Sequence, residues 1–232
     1  MIPNQHKLVS WLKENDDINS KLLLAFLQEE TDFSTISREE IDDIFPELLI
    51  ELTTNDTFIV HLKQILAEEC QSTSPSEFGF RIIYIKDRLQ LLHRSEKESF
   101  LHSIKSNIHY SLLSQKMDID TLYSLYFWSH YTTEQSVCQH ILYEIITSFL
   151  MYFARNYQLC EFVLCVLILL NVNKSLPSLT KREIYSFITT LQNDKGYFGY
   201  NHPFLGKIPN SQLLKNTFYC VWCLSLLQEE IL

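Results

Sequence analysis

Glycine is scarce in this chain. Only four of 232 residues are glycine, and three of them fall between Gly196 and Gly206. Proline is nearly as rare, at six. A chain with so few turn formers is not collagen-like, nor a low-complexity linker. Long apolar runs are missing too. The most apolar stretch, "FVLCVLILL" (Phe162–Leu170), follows Glu161. A bilayer span needs about 20 such residues, so this one reads as a buried core helix. The opening "MIPNQHKLVSWLKENDD" has no apolar region long enough for a secretory signal, and a cytoplasmic location is expected. No run of lysine or arginine occurs and the net charge is -9, which excludes a nucleic-acid binder with a basic face. Phosphate-loop, zinc-protease and serine-hydrolase motifs are absent: "GYFG" has no Lys-Ser/Thr after it.

What remains is a globular composition, 46% hydrophobic and 20% charged, long enough to bury a substantial core. The charge is uneven. Residues 1–70 hold fifteen Asp and Glu against five Lys and Arg, whereas residues 71–232 hold thirteen against fourteen. The first segment is therefore an acidic, solvated helical layer or a face that docks a basic protein partner. The polar stretch "QSTSPSEFG" (71–79) marks a linker where the charge balance changes. Two organisations fit: an acidic helical segment 1–71 followed by a helical domain 80–232, or one continuous domain 1–232.

Helical period dominates throughout, so the fold class expected is all-α. In "NDTFIVHLKQILAEEC", Phe58, Ile59, Leu62, Ile65 and Leu66 share a face, with Asn55 or Asp56 as cap. "SREEIDDIF" opens with a capping box, Ser37 to Glu40, and Pro46 then kinks or restarts the helix. "FRIIYIKDRLQLL" fits a helix, although its first half alone would pass for a strand. From Ser95 a rhythm appears. Ser95–Glu98, Thr132–Gln135 and Thr180–Glu183 are spaced as capping boxes, 37 and 48 residues apart. Each opens an amphipathic segment, and each of these is followed by a more apolar one: "DIDTLYSLYFWSHY", "YQLCEFVLCVLILL" and "NTFYCVWCLSLLQ". That is a repeat of helix pairs, with enclosed second members and first members wrapped outside.

In this frame the crowded glycines acquire a role. "IYSFITTLQNDKGYFGYNHPFLG" and the "NTFYCVWCLSLL" that follows resemble the repeat of the α/α-toroid superfamily, which includes terpenoid cyclases and protein prenyltransferase β-subunits. The matching positions are Leu191, Gln192, Asp194, Gly196, Phe198, Gly199, Thr217 and Phe218. The resemblance implies consecutive helical hairpins forming a complete or partial toroid. Gly196 would end the outer helix in a left-handed conformation, and Gly199 would continue the tight turn. Gln192 would satisfy turn backbone, and Phe198 would pack the turn down. The resemblance covers residues 180–230 well and 95–171 only through rhythm. Fold alone licenses no chemistry.

Candidate chemistry is sparse. Asp118 and Asp120 in "MDIDTLY" resemble the acidic general-acid motif of one cyclase class, but Thr121 stands where a further Asp belongs. Two carboxylates at a helix start are also simple caps. "CVWC" (Cys220–Cys223) lies in mid-helix, where thiols are not activated and a disulfide would be strained, so core packing is expected. With six cysteines and no secretory signal, reduced thiols are expected. His102 and His109 share a helix face as outer polar residues, and the prenyltransferase zinc set has no match. Neither metal nor cofactor is expected. Tyr123, Tyr126, Phe127, Trp128, His130, Tyr219 and Trp222 lie on inner segments. Tyr123, Tyr126, Trp128, His130, Tyr219 and Trp222 are the candidates for lining a ligand cavity, because Tyr and Trp join an apolar body to a polar handle. Three functions follow as expectations. The first is binding of an apolar small molecule or peptide, as an accessory factor in biosynthesis. The second is a cyclase or transferase of the same fold, with Asp118 or Asp120 as acid. The third is a regulatory module using the acidic N-terminal helices.

Overall fold

The computed structural model describes residues 2–15, 17–27, 29, 83, 86–87, 90–113, 117–131, 137–172, 176–199 and 208–231. The Ser37–Glu40 and Thr132–Gln135 caps, the Pro46 break, the 55–70 helix and the 71–79 linker lie outside these residues. Among the described residues the protein is all-α: eight helices, no strand, and one isolated bridge between Gln192 and Phe198. They are α1 (Gln5–Lys13), α2 (Ile18–Phe26), α3 (Arg94–Leu113), α4 (Ile119–Tyr131), α5 (Val137–Arg155), α6 (Leu159–Val172), α7 (Ser178–Thr190) and α8 (Asn210–Ile231). Two compact units result. One joins Met1–Trp11 to Met117–Leu232, and the other is Leu12–Lys116.

In the first unit α6 is central. Apart from Glu161 and its last two residues, every side chain from Leu159 to Leu170 is buried. A helix apolar on all sides must be covered on all sides, and α4, α5 and α8 cover it. The enclosed second members of the sequence repeat, α4, α6 and α8, are therefore neighbours in the order α4–α6–α8. The first members α5 and α7 pack on α6 and α8 respectively. The chain reverses between α5 and α6 without glycine. Tyr157 takes a left-handed φ of 59°, and the Gln158 N–H donates to Phe153 O at 3.0 Å. Asn171 Nδ2 donates to Ser129 Oγ at 3.2 Å and ties the last turns of α4 and α6.

The second unit holds α2 and α3. The Asp17 carboxylate caps α2, accepting the Asn19 and Ser20 N–H groups at 3.0 Å each and the Ser20 hydroxyl at 2.6 Å. Behind that cap Ile18, Leu22, Leu23 and Leu24 are buried. Ile83, Lys86 and Asp87 are helical, in line with the helix reading of "FRIIYIKDRLQLL".

Two caps lie elsewhere than their spacing suggests. At α3 the box forms two residues earlier: Glu96 Oε2 accepts the His93 N–H at 3.0 Å. Glu98 instead pairs with Arg94 at 2.8 Å, one turn away. At α7 the helix begins at Ser178 after Pro177, which offers no side-chain cap, so Thr180 sits inside the first turn. Proline is compatible with a helix start because the amide it lacks has no intrahelical partner there.

Candidate functional site

Residues 191–199 build the turn that separates α7 from the chain leading to α8. Its start is ordinary helix exit: Leu191 remains right-handed, with φ -86° and ψ -4°. Gly196 therefore does not end the helix; it sits five residues further on, at φ 98°. The turn closes on itself. Asn193 N–H donates to Tyr197 O, Gly196 N–H to Asn193 O, and Gly199 N–H to Leu191 O, at 3.0–3.1 Å. Gln192 Nε2 donates to Gly196 O at 2.8 Å, as the resemblance implies, while its Oε1 is enclosed and accepts nothing from the protein. Phe198 is fully buried, and its N–H donates to Thr217 Oγ1 on α8 at 3.0 Å. Gly196 is required twice over. Its φ disfavours any L side chain, and a Cβ there would lie 2.3 Å from the Leu8 nitrogen of α1. Gly199 is required less strictly, its added Cβ meeting a Leu213 methyl carbon at 3.3 Å.

The aromatic candidates converge. Tyr123 and Tyr126 on α4 and Tyr219 and Trp222 on α8 are all buried. The Tyr123 and Tyr219 hydroxyls hydrogen-bond each other. Tyr126 meets the edge of Trp222 with centroids 5.6 Å apart, and Phe218 stacks on Trp222 at 6.0 Å and 14°. Side chains of α4 and α8 thus meet in one aromatic cluster beside α6. Trp128 lies half-buried near the α4 C-terminus. The side chains of Phe127, His130, His109 and Asp120 lie outside the described residues. His102 is exposed on α3.

Asp118 is exposed and works as the α4 cap: Oδ1 accepts the Thr121 N–H at 3.0 Å and the Thr121 hydroxyl at 2.7 Å. Thr121, which breaks the acidic motif, is thus the partner that completes the cap. Cys160, Cys165, Cys220 and Cys223 are free and buried. Burial pushes the Cys165, Cys220 and Cys223 thiols far above the ordinary range. The Glu161 charge adds to this at Cys165, and the neighbouring thiols Cys223 and Cys160 add to it at Cys220. Such thiols are poor nucleophiles. Among the described residues no group of three His, Cys, Asp or Glu is placed to hold a metal.

A polar cluster that the residue spacing does not announce joins α6 to α8. The Cys160 thiol donates to Asn216 Oδ1 at 3.0 Å, and Gln212 Nε2 donates to the same oxygen at 2.9 Å. Its members lie 56 and four residues from Asn216, so only the packing of α8 on α6 reveals it. On α5, Met151 and Tyr152 are more than half exposed. No helix among the described residues is long and apolar enough to cross a membrane. No family model, curated protein or solved structure matches this chain.

Proposed function

We propose that this chain is a helical-hairpin repeat protein of the α/α-toroid type, working in the cytoplasm as a binding protein rather than a catalyst. Its ligand is an apolar small molecule or a peptide, and its role is that of an accessory factor in small-molecule or peptide biosynthesis. The observation that carries the reading is the α4–α8 aromatic cluster, where four Tyr and Trp side chains gather around one buried hydroxyl pair. Rings with polar tips suit recognition of an apolar body bearing a few polar groups. The α4–α6–α8 order and the closed Gly196 turn support the toroid type. The binding reading is favoured over the enzymatic one because Asp118 is engaged as a cap and burial deactivates the Cys165, Cys220 and Cys223 thiols.

The Tyr123 and Tyr219 hydroxyls already bond each other, and Tyr126 already meets the edge of Trp222. A ligand must therefore part Tyr123 from Tyr219, or lodge beside Trp128 at the α4 end. Native mass spectrometry on protein purified gently from its own host tests this. A small molecule or peptide that is retained natively and lost on denaturation, with retention reduced in Tyr123→Phe, supports the reading. An apo mass with a co-purifying protein would replace it with the interaction reading, in which the acidic first seventy residues dock a partner.

A further inference from the structure

We infer that α1 is a strap that opens on its own, held to the first unit by the Gly196 turn, and that its release leaves the α4–α8 core folded. The turn does not need α1 to keep its shape. Its Asn193, Gly196 and Gly199 amides are satisfied internally by the Tyr197, Asn193 and Leu191 carbonyls, its Lys195 amide by the Asn193 side chain, its Gly196 carbonyl by Gln192, and its Phe198 amide by Thr217 on α8. α1 needs the turn. Nine residues make a helix too short to persist in water without a docking surface. Its start rests on Asn4, a left-handed residue at φ 47° whose carbonyl accepts the Lys7 and Leu8 amides.

The docking is a close backbone fit. The Lys7–Leu8 peptide lies over the hydrogen face of Gly196, so close that an added methyl group would sit 2.3 Å from the Leu8 nitrogen. Trp11 packs on Tyr197 of the same turn, with ring centroids 5.1 Å apart. Leu8 is fully buried in the docked state. One side of the contact is self-supporting and the other is conditional on it, which is the arrangement that gives a low-energy local opening distinct from global unfolding. The chain leaves this unit through α1, at Trp11, to enter residues 12–116.

Native-state hydrogen exchange on the full chain tests the inference. The amides of Leu8 and Val9 are expected to exchange through an opening that is more frequent, and less dependent on denaturant, than the one that exposes Val163–Ile168 of α6. In Gly196→Ala the α1 amides should speed up by more than about tenfold, with those of α6 unchanged. Gly199→Ala meets only Leu213 and should leave α1 alone. Trp11→Ala weakens the same contact without touching the turn, and serves if Gly196→Ala fails to fold. Equal opening energies and denaturant slopes for α1 and α6 in the unmodified chain would overturn the inference, as would α1 protection indifferent to both Gly196→Ala and Trp11→Ala.

Discussion

The Phe198 amide donates to the Thr217 hydroxyl at 3.0 Å, across nineteen residues of chain and out of reach of solvent. This one bond fastens the glycine turn to the helix that follows it. Thr217→Val keeps the shape of the side chain and removes the acceptor, stranding a buried N–H. A loss of about 1–3 kcal/mol is expected, read as a lower urea midpoint at unchanged slope. Thr217→Ser keeps the acceptor and should cost far less. Equal losses in the two variants would assign the effect to packing instead.

The Tyr123–Tyr219 pair invites a double-mutant cycle. Each hydroxyl is buried and each serves the other. Removing one destabilises more than removing the second afterwards, because the bond between the two hydroxyls is lost only once. A coupling of about 0.5–3 kcal/mol is expected from urea unfolding of Tyr123→Phe, Tyr219→Phe and the double variant. Additive losses would show that the pair holds nothing together.

The sequence pattern disclosed the helices better than their edges. The apolar run 162–170 forecast an enclosed helix, and α6 is one, because burial on every side leaves no other composition possible. The resemblance around Gln192, Gly199 and Phe198 forecast a tight turn with Gln192 bonded to its backbone and Phe198 packed down, but it put Gly196 at the helix end rather than five residues beyond and gave Thr217 no part in the turn. Cap positions were less legible. Several Ser, Thr and Glu at neighbouring positions satisfy the same spacing, and His93 and Pro177 are unusual choices that the spacing does not favour. The aromatic cluster was half legible. Placing Tyr123 and Tyr219 on inner helices follows from periodicity, but their meeting requires that α4 and α8 flank the same helix. In the Cys160–Asn216–Gln212 cluster only the Gln212–Asn216 pair, one helical turn apart, had a local signal; Cys160, 56 residues from Asn216, had none.

The buried thiols give a pH dependence with a definite sign. Burial raises the Cys165, Cys220 and Cys223 pKa values in the folded chain above their ordinary value of 9.0. Below that value both folded and unfolded chains hold the protons, and stability is intact. Above it the unfolded chain releases protons that the folded chain retains, so stability falls as pH climbs towards the raised folded values. The slope is about 1.4 kcal/mol per pH unit for each thiol. Urea unfolding at pH 8 and pH 10 checks the sign. Alkylation at pH 8 should spare these three in the native protein and modify them in urea; rapid native labelling of Cys223 would contradict its burial.

Asp118 separates capping from catalysis. Asp118→Asn retains an oxygen that accepts the Thr121 amide and should cost little, whereas Asp118→Ala removes the cap and should cost about 0.5–2 kcal/mol in thermal or urea unfolding. Ligand retention should survive both. An Asn variant that stays folded but loses a measured activity would restore the carboxylate to a chemical role.

Glycine poverty leads to the last prediction. Among the described residues, three positions other than glycine hold a positive φ: Asn4 at 47°, Gln90 at 59° and Tyr157 at 59°. These values fall in the narrow left-handed basin that L residues enter at a modest cost. Gly196, at 98°, lies beyond that basin and faces the α1 backbone as well. Glycine thus stands at 196, where a side chain cannot fit, while Asn4, Gln90 and Tyr157 tolerate strain where one can. Gln90 is the cleaner test, because it is exposed. It follows a helical turn in the helix-ending geometry where glycine is favoured, with the Leu91 N–H donating to Lys86 O at 2.8 Å. Gln90→Gly relieves the left-handed strain and adds some freedom to the unfolded chain, which offsets part of the gain. A net stabilisation of up to about 1 kcal/mol is expected, raising the melting temperature by about 2–4 °C at most. The same change at a right-handed helical site would destabilise, so a loss of stability in Gln90→Gly would mean that the Gln90 side chain makes a compensating contact worth more than the strain.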